Sequence, residues 1–151
     1  MSNPFEIKEP TCISFSGGRT SAFMLYKVLE AHQMSLPKEA KVLFCNTGKE
    51  EDATLEFINE CSVRWNFEIT WLEFAIENEE SSFKVVNYQT ASRDGQPFED
   101  VIKRYEPSLP NGRSRYCSSQ MKTRTMHRYL RSIGWDAVSY THLTLPTIYS
   151  V

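Results

Sequence analysis

The sequence predicts an α/β fold: an open parallel sheet flanked by helices. Two observations carry this. Short apolar runs of strand length alternate with longer stretches of helical periodicity, twice over between Cys12 and Phe74. The chain has 151 residues, 40% of them hydrophobic, which suits the core of one domain.

The elements follow in order. CISFS, Cys12 to Ser16, alternates and is β-rich, and it ends at a bare polar corner, Gly17-Gly18-Arg19. TSAFMLYKVLEAHQM then places Phe23, Met24, Tyr26, Lys27, Val28 and Leu29 at helical spacings. SLPKEA leads to KVLFCN, a second strand. GKEEDATLEFINECSVRW repeats Leu55, Ile58 and Val63 near helical period, with Asp52 or Thr54 as its cap. FEITWLEF, Phe67 to Phe74, is a third strand. AIENEESS reads as an acidic, solvated connection, and FKVVNY as a short strand or the start of a loop, without an assigned partner. A short helix spans about Phe98 to Tyr105 between Pro97 and Pro107, and a polar loop follows it. SSQMKTRTMHRYLRSIGW reads as the last helix. Ser118 or Ser119 caps it, Met121, Met126, Tyr129 and Leu130 face inward, and Gly134 stops it.

The remaining VSYTHLTLPTIYSV lacks any Lys, Arg, Asp or Glu and resembles the translation of sequencing-adapter DNA. Residues 137–151 are therefore expected to be a non-native tail, and residues 1–136 a single nucleotide-binding domain. The alternative is a β-rich C-terminal strand.

Seventeen basic against nineteen acidic residues give a net charge of -2, so nothing global draws the chain to nucleic acid or an anionic membrane. Any anion site must be local. No run approaches the ~20 apolar residues of a membrane span, and MSNPFEIKEP lacks the pattern of a signal peptide, so the expected compartment is the cytoplasm. Cys12, Cys45, Cys61 and Cys117 form no metal-binding spacing, and neither a metal site nor a disulfide framework is expected. Cys12 and Cys45 lie in apolar runs, as buried thiols do. His32 and His127 read as helix-surface residues without a role.

The corner after the first strand is the motif that carries chemistry. A strand that turns directly into a helix exposes the first backbone N–H groups at the positive end of the helix dipole. Gly17 and Gly18 let an anion approach the backbone, Ser16, Thr20 and Ser21 add hydroxyls, and Arg19 adds charge. The spacing is neither GxxxxGKS nor GxGxxG. The plain alternative is a tight loop whose Ser or Thr caps the helix.

SGGRTS resembles the PP-loop, the SGGxxS signature of the adenine nucleotide alpha-hydrolase-like superfamily, and specifically its phosphoadenosine phosphosulfate (PAPS) reductase branch, many of whose members are phage or bacterial. FCNTGKEEDATLEF resembles that family's second-strand N/D-T-G motif, WNFEITWLEF its third strand, and LPNGRSRYCSSQMKTRTMHRYL its R-x-C…K segment. The resemblance spans roughly Thr11 to Asp136. It implies a Rossmann-like sheet binding PAPS, adenosine phosphosulfate or ATP, with Mg2+ accompanying the nucleotide if it is ATP. Ser16, Gly17, Gly18, Arg19, Thr20 and Ser21 would hold the phosphate or sulfate, and Asn46, Thr47 and Gly48 would lie at the neighbouring strand end. Arg115 and Lys122 would complete the nucleotide site. A thiol reductant such as thioredoxin is the partner implied, in the host cytoplasm if the protein is phage-encoded.

Six basic residues, Arg113, Arg115, Lys122, Arg124, Arg128 and Arg131, occur with no acidic one among them. They read either as ordinary helix surface or as a local field for a polyanion, small or nucleic. Cys117, beside Arg115, is the one candidate nucleophile, and its alternative is a structural half-buried cysteine. The chain lacks the ECGLH-like segment of sulfate-assimilating PAPS reductases and the paired cysteines that hold an iron–sulfur cluster in adenosine phosphosulfate reductases, so no cluster is expected. Three readings stay open: a PAPS reductase or sulfotransferase-like enzyme, an ATP pyrophosphatase-type adenylating enzyme, for example in nucleic-acid modification, and a non-catalytic nucleotide-binding module.

Overall fold

The computed structural model describes residues 3–105 and 119–135. The elements are β1 (Thr11–Ser14), α1 (Arg19–Ala31), β2 (Ala40–Asn46), α2 (Asp52–Arg64), β3 (Ile69–Glu77), β4 (Glu80–Val86) and α3 (Gln96–Arg104). A π-helical turn (Ser119–Thr123) and α4 (Arg124–Ser132) follow. Ser118, Arg115, Cys117 and the 137–151 tail lie outside the described residues.

The strands form a four-stranded sheet in the order β1-β2-β3-β4, flanked by helices. β1 pairs in parallel with β2, from Thr11 opposite Ala40 to Ser14 opposite Leu43, a geometry that requires a crossover such as α1. β3 and β4 instead pair antiparallel, from Trp71 opposite Val86 to Glu77 opposite Glu80. The expected acidic connection AIENEESS is thus the end of β3, a two-residue turn and the start of β4. Asn78 and Glu79 make the turn with φ of 51° and 64°, the left-handed geometry that tight hairpins demand. Charge obscured it, because β4 is an edge strand with largely solvated side chains.

Residues 3–44, 53–70 and 135 form one compact unit, and residues 45–52, 71–105 and 119–134 another. In the first, Ile13 and Phe15 from the β1 region, Met24, Leu25, Val28 and Leu29 from α1, Leu43 from β2, and Leu55 and Ile58 from α2 are buried. Phe15 meets the edge of Phe67 at 6.5 Å. Phe23 and Val63, expected on the apolar helix faces, are 61% and 70% exposed, since the buried stripes run through Leu25 and Leu29 and through Leu55, Ile58 and Cys61. α2 begins at Asp52, so Asp52 and Thr54 sit in its first turn rather than ahead of it. Asp52 there places a carboxylate near the positive helix end. His32 closes α1 with Nδ1 2.8 Å from the Val28 carbonyl, while Nε2 accepts the Ile7 N–H at 3.1 Å. That tautomer ties the N-terminal segment down.

In the second unit Phe74, Val101 and Met121 form a buried cluster, covered by Phe98 and Tyr105. α3 starts two residues earlier than expected because Pro97 lies in its first turn, where a missing N–H costs nothing. The last expected helix is a π-helical turn running into α4. Met121, Met126 and Leu130 are buried, and Tyr129 packs edge-on against Phe83 of β4 at 5.8 Å. Gly134 follows α4 with φ of 85°, the usual way to end a helix.

Candidate functional site

The first βα loop is shaped by two glycines with different duties. Phe15 N–H donates to the Leu43 carbonyl at 2.9 Å, and the backbone then leaves the sheet. Gly17 has φ of 81°, and a Cβ there would lie 2.8 Å from both Ile58 Cδ1 and Thr54 Cγ2. Strain and overlap with α2 both require glycine. Gly18 is the helix N-cap with φ of -90°, and a Cβ would meet only Ser16 Oγ at 3.7 Å. Nothing among the described residues requires glycine at that position, and none of them closes the space beside the first amides.

α1 has neither a side-chain cap nor an acidic residue in its first turn. Its leading N–H groups therefore lack the intrahelical partner and the negative group that most helices provide, and an anion is the complementary occupant. Ser21 is buried and braces the loop: its hydroxyl donates to the Gly18 carbonyl at 3.1 Å and accepts the Ser16 N–H at 3.3 Å. Ser16 Oγ lies 3.0 Å from the same hydroxyl. Ser16, Gly18, Arg19 and Thr20 are exposed, so of the three hydroxyls those of Ser16 and Thr20 are presented to solvent.

The Asn46-Thr47-Gly48 loop is built differently. Asn46 is fully buried, and its Nδ2 donates to Glu73 Oε2 at 2.6 Å and to the Ser92 carbonyl at 2.8 Å. Its Oδ1 accepts the Gly48 N–H at 3.2 Å, and Thr47 Oγ1 accepts the Lys49 N–H at 3.1 Å. These are the local turns that Asn and Thr favour after a strand. Gly48, with φ of 82°, approaches Gly95 so closely that a Cβ would lie 2.7 Å from the Gly95 Cα.

Glu73 is the residue that sequence reasoning missed. It has 0% exposure, and its Oε2 accepts from both Asn46 Nδ2 and the Ser92 N–H, each at 2.6 Å. Its Oε1 lies 3.6 Å from Lys84 Nζ, the residue opposite it on β4. One carboxylate thus joins the loop after β2 to the loop before α3. It also lines an open groove of about 560 Å³ with Lys84, Thr90, Ser92, Asp94 and Gln96. Asp94 is held below the usual carboxylate range, chiefly by the Ser92 hydroxyl and next by the Gln96 N–H. The available signal was a carboxylate inside the unbroken run Trp71-Leu72-Glu73-Phe74, on a strand buried on both faces.

Lys122 lies half-buried in the π-helical turn, and its carbonyl accepts from Cys45 Sγ at 3.6 Å. Cys12, Cys45 and Cys61 are free and buried. Burial pushes the Cys12 thiol up to about 12, and burial followed by Glu60 raises Cys61, so neither is a ready thiolate. Among the described residues no group of His, Cys, Asp and Glu is placed to hold a metal, and no helix is long and apolar enough to cross a membrane.

Comparison with known proteins agrees with this architecture. The chain is 28% identical over 123 residues to the uncharacterized nin region protein ORF290 of Escherichia phage lambda, an alignment covering 78% of this chain and 41% of that protein. The chain therefore spans about two fifths of the length of the curated relative it matches. No solved structure matches it. Residues 10–140 match the model of the phosphoadenosine phosphosulfate reductase domain, and on that match over most of its length the chain belongs to the phosphoadenosine phosphosulfate reductase domain family.

Proposed function

We propose that the chain binds an adenine nucleotide carrying a transferable phosphate or sulfate, PAPS, adenosine phosphosulfate or ATP, through a PP-loop formed by Ser16 to Ser21, and acts on it as a PAPS reductase or sulfotransferase-like enzyme. The observation that carries this reading is the uncapped start of α1, with no acidic residue in its first turn and an open flank at Gly18. Backbone N–H groups aimed at a phosphate or sulfate stabilise charge that builds on it as a bond to sulfur or phosphorus breaks. Arg19 and Thr20 are exposed at the same turn and supply further donors. Asn46, Thr47 and Gly48 are assigned to the nucleotide by the family motif, with Asn46 holding the loop's shape from within. Arg115 and Lys122 are assigned to its anionic groups, and Cys117 is the candidate nucleophile.

The test is calorimetric binding of PAPS, adenosine phosphosulfate and ATP, followed by assay of sulfite and of pyrophosphate. Thiol-dependent sulfite release supports reduction, and pyrophosphate without sulfite supports adenylation. Binding without product identifies a nucleotide-binding module, a reading favoured by the burial of Cys12, Cys45 and Cys61. Binding of none of the three overturns the proposal.

A further inference from the structure

The groove floored by Glu73 contains two groups that the protein's own bonds leave over. Glu73 Oε2 does the structural work, since it accepts from both Asn46 Nδ2 and the Ser92 N–H. Oε1 is buried too, and it accepts no hydrogen bond among the described residues. Lys84 Nζ, its ion-pair partner, stands 3.6 Å away on a side chain 54% exposed, beyond the roughly 2.7–2.9 Å of a charge-assisted hydrogen bond. The two charges attract, yet among the described residues the buried oxygen has no donor and the ammonium no acceptor.

The other polar side chains of the groove are engaged. Thr90 Oγ1 accepts the Asn87 N–H at 2.9 Å, the Ser92 hydroxyl donates to Asp94 Oδ1 at 2.7 Å, and Gln96 Nε2 donates to Asp100 Oδ1 at 2.7 Å. Arg93 donates to the Ala91 and Tyr88 carbonyls and pairs with Asp52. What remains is a negative acceptor beside a positive donor, in an open volume of about 560 Å³.

The bonds to Asn46 and Ser92 need only one oxygen, which a glutamine also has, so what the carboxylate adds is a charged acceptor at Oε1. A buried acceptor without a donor is costly where the dielectric is low, and a charged donor relieves it best. Glu73 and Asp94 against Lys84 and Arg93 give the lining no net charge, so a dipolar ligand suits it better than a polyanion.

We propose that this groove binds a free α-amino acid, whose ammonium donates to Glu73 Oε1 and whose carboxylate accepts from Lys84 Nζ. Partners only 3.6 Å apart call for two opposite charges carried on a single carbon, and the rest of the groove takes the amino acid's side chain. The assignment does not depend on the nucleotide loop.

The experiment is saturation-transfer NMR of the full chain with each of the twenty L-amino acids, with calorimetry on those that bind and separate calorimetry with PAPS and ATP. For the tightest binder, the N-acetyl derivative and the decarboxylated amine are each expected to bind about 10- to 100-fold more weakly, the loss of one charge-assisted hydrogen bond. Lys84→Gln is expected to weaken the amino acid by a similar factor, to leave the decarboxylated amine no weaker, and to leave PAPS and ATP affinity unchanged, while Lys84→Arg restores amino-acid binding. The proposal is overturned if no amino acid binds, which leaves Oε1 to a water molecule, if the N-acetyl derivative binds as well as its parent, or if Lys84→Gln changes nothing. Displacement of the amino acid by adenosine would assign the groove to the base of the nucleotide and overturn it as well. Failure of PAPS and ATP to bind the wild-type chain overturns the nucleotide reading and not this one.

Discussion

At Gly17 an added methyl group presses on Ile58 and Thr54 in a left-handed backbone, whereas at Gly18 it meets almost nothing. Gly17→Ala is therefore expected to destabilise the protein by about 1–3 kcal/mol in urea denaturation, through strain and overpacking together. Gly18→Val is expected to leave the urea midpoint nearly unchanged while abolishing nucleotide binding in calorimetry, and retained affinity would exclude this loop as the site. Glu73 gives a third residue-level expectation. Glu73→Ala leaves the buried Asn46 Nδ2 and the half-buried Ser92 N–H without their shared acceptor, at a cost of about 1–3 kcal/mol in the same measurement. His127 adds a pH dependence. Because the folded protein holds it below 6.5, the unfolded chain takes up the proton first as pH falls. Stability is expected to drop as pH falls through the ordinary histidine range near 6.5, and His127→Gln to flatten that drop in thermal melts. The glycine corner was legible in the sequence because its composition is local. Glu73 was not, because the burial of a carboxylate depends on partners 19 and 27 residues away.

Among the elements, the first two strand–helix repeats were legible because their apolar periodicity is strong and their strands are buried. β4 was not, since its side chains are largely solvated and its turn lacks the Asn-Gly signature. Glu79, with φ of 64°, supplies the missing half of that signature when changed to glycine. Glu79→Gly is expected to raise stability by about 0.5–1 kcal/mol, the left-handed penalty less the extra freedom of glycine in the unfolded chain, as a higher urea midpoint at unchanged slope. At the other end of the chain, helical periodicity was legible through Met121, Met126 and Leu130, but the π-helical turn was not. A change in backbone hydrogen bonding over five residues leaves no periodic trace.

For the whole molecule, charge is the useful coordinate. A net charge of -2 conceals a helix that carries Arg124, Arg128 and Arg131 and no acidic residue, so overall charge is a poor guide to what this protein attracts. A nucleotide that binds only the folded chain stabilises it by about 2.7 kcal/mol at a hundredfold excess over Kd, and for a domain of this size the melting temperature is expected to rise by about 5–10 °C. Differential scanning fluorimetry with PAPS, adenosine phosphosulfate and ATP checks this and ranks the ligands. The same rise in the Gly18→Val variant would place the ligand away from the first βα loop.

The approach of Gly48 to Gly95, with Asn46 and Ser92 held by one carboxylate, makes residues 46–48 and 92–95 a single heritable unit. Gly48 cannot accept a side chain, nor either stretch an insertion, unless the other stretch changes with it. Grafting one alone from a relative is expected to fail where grafting both succeeds. The hairpin tip at Asn78-Glu79 carries no such bond to a distant stretch among the described residues, and it is the place where this chain can be lengthened at little cost.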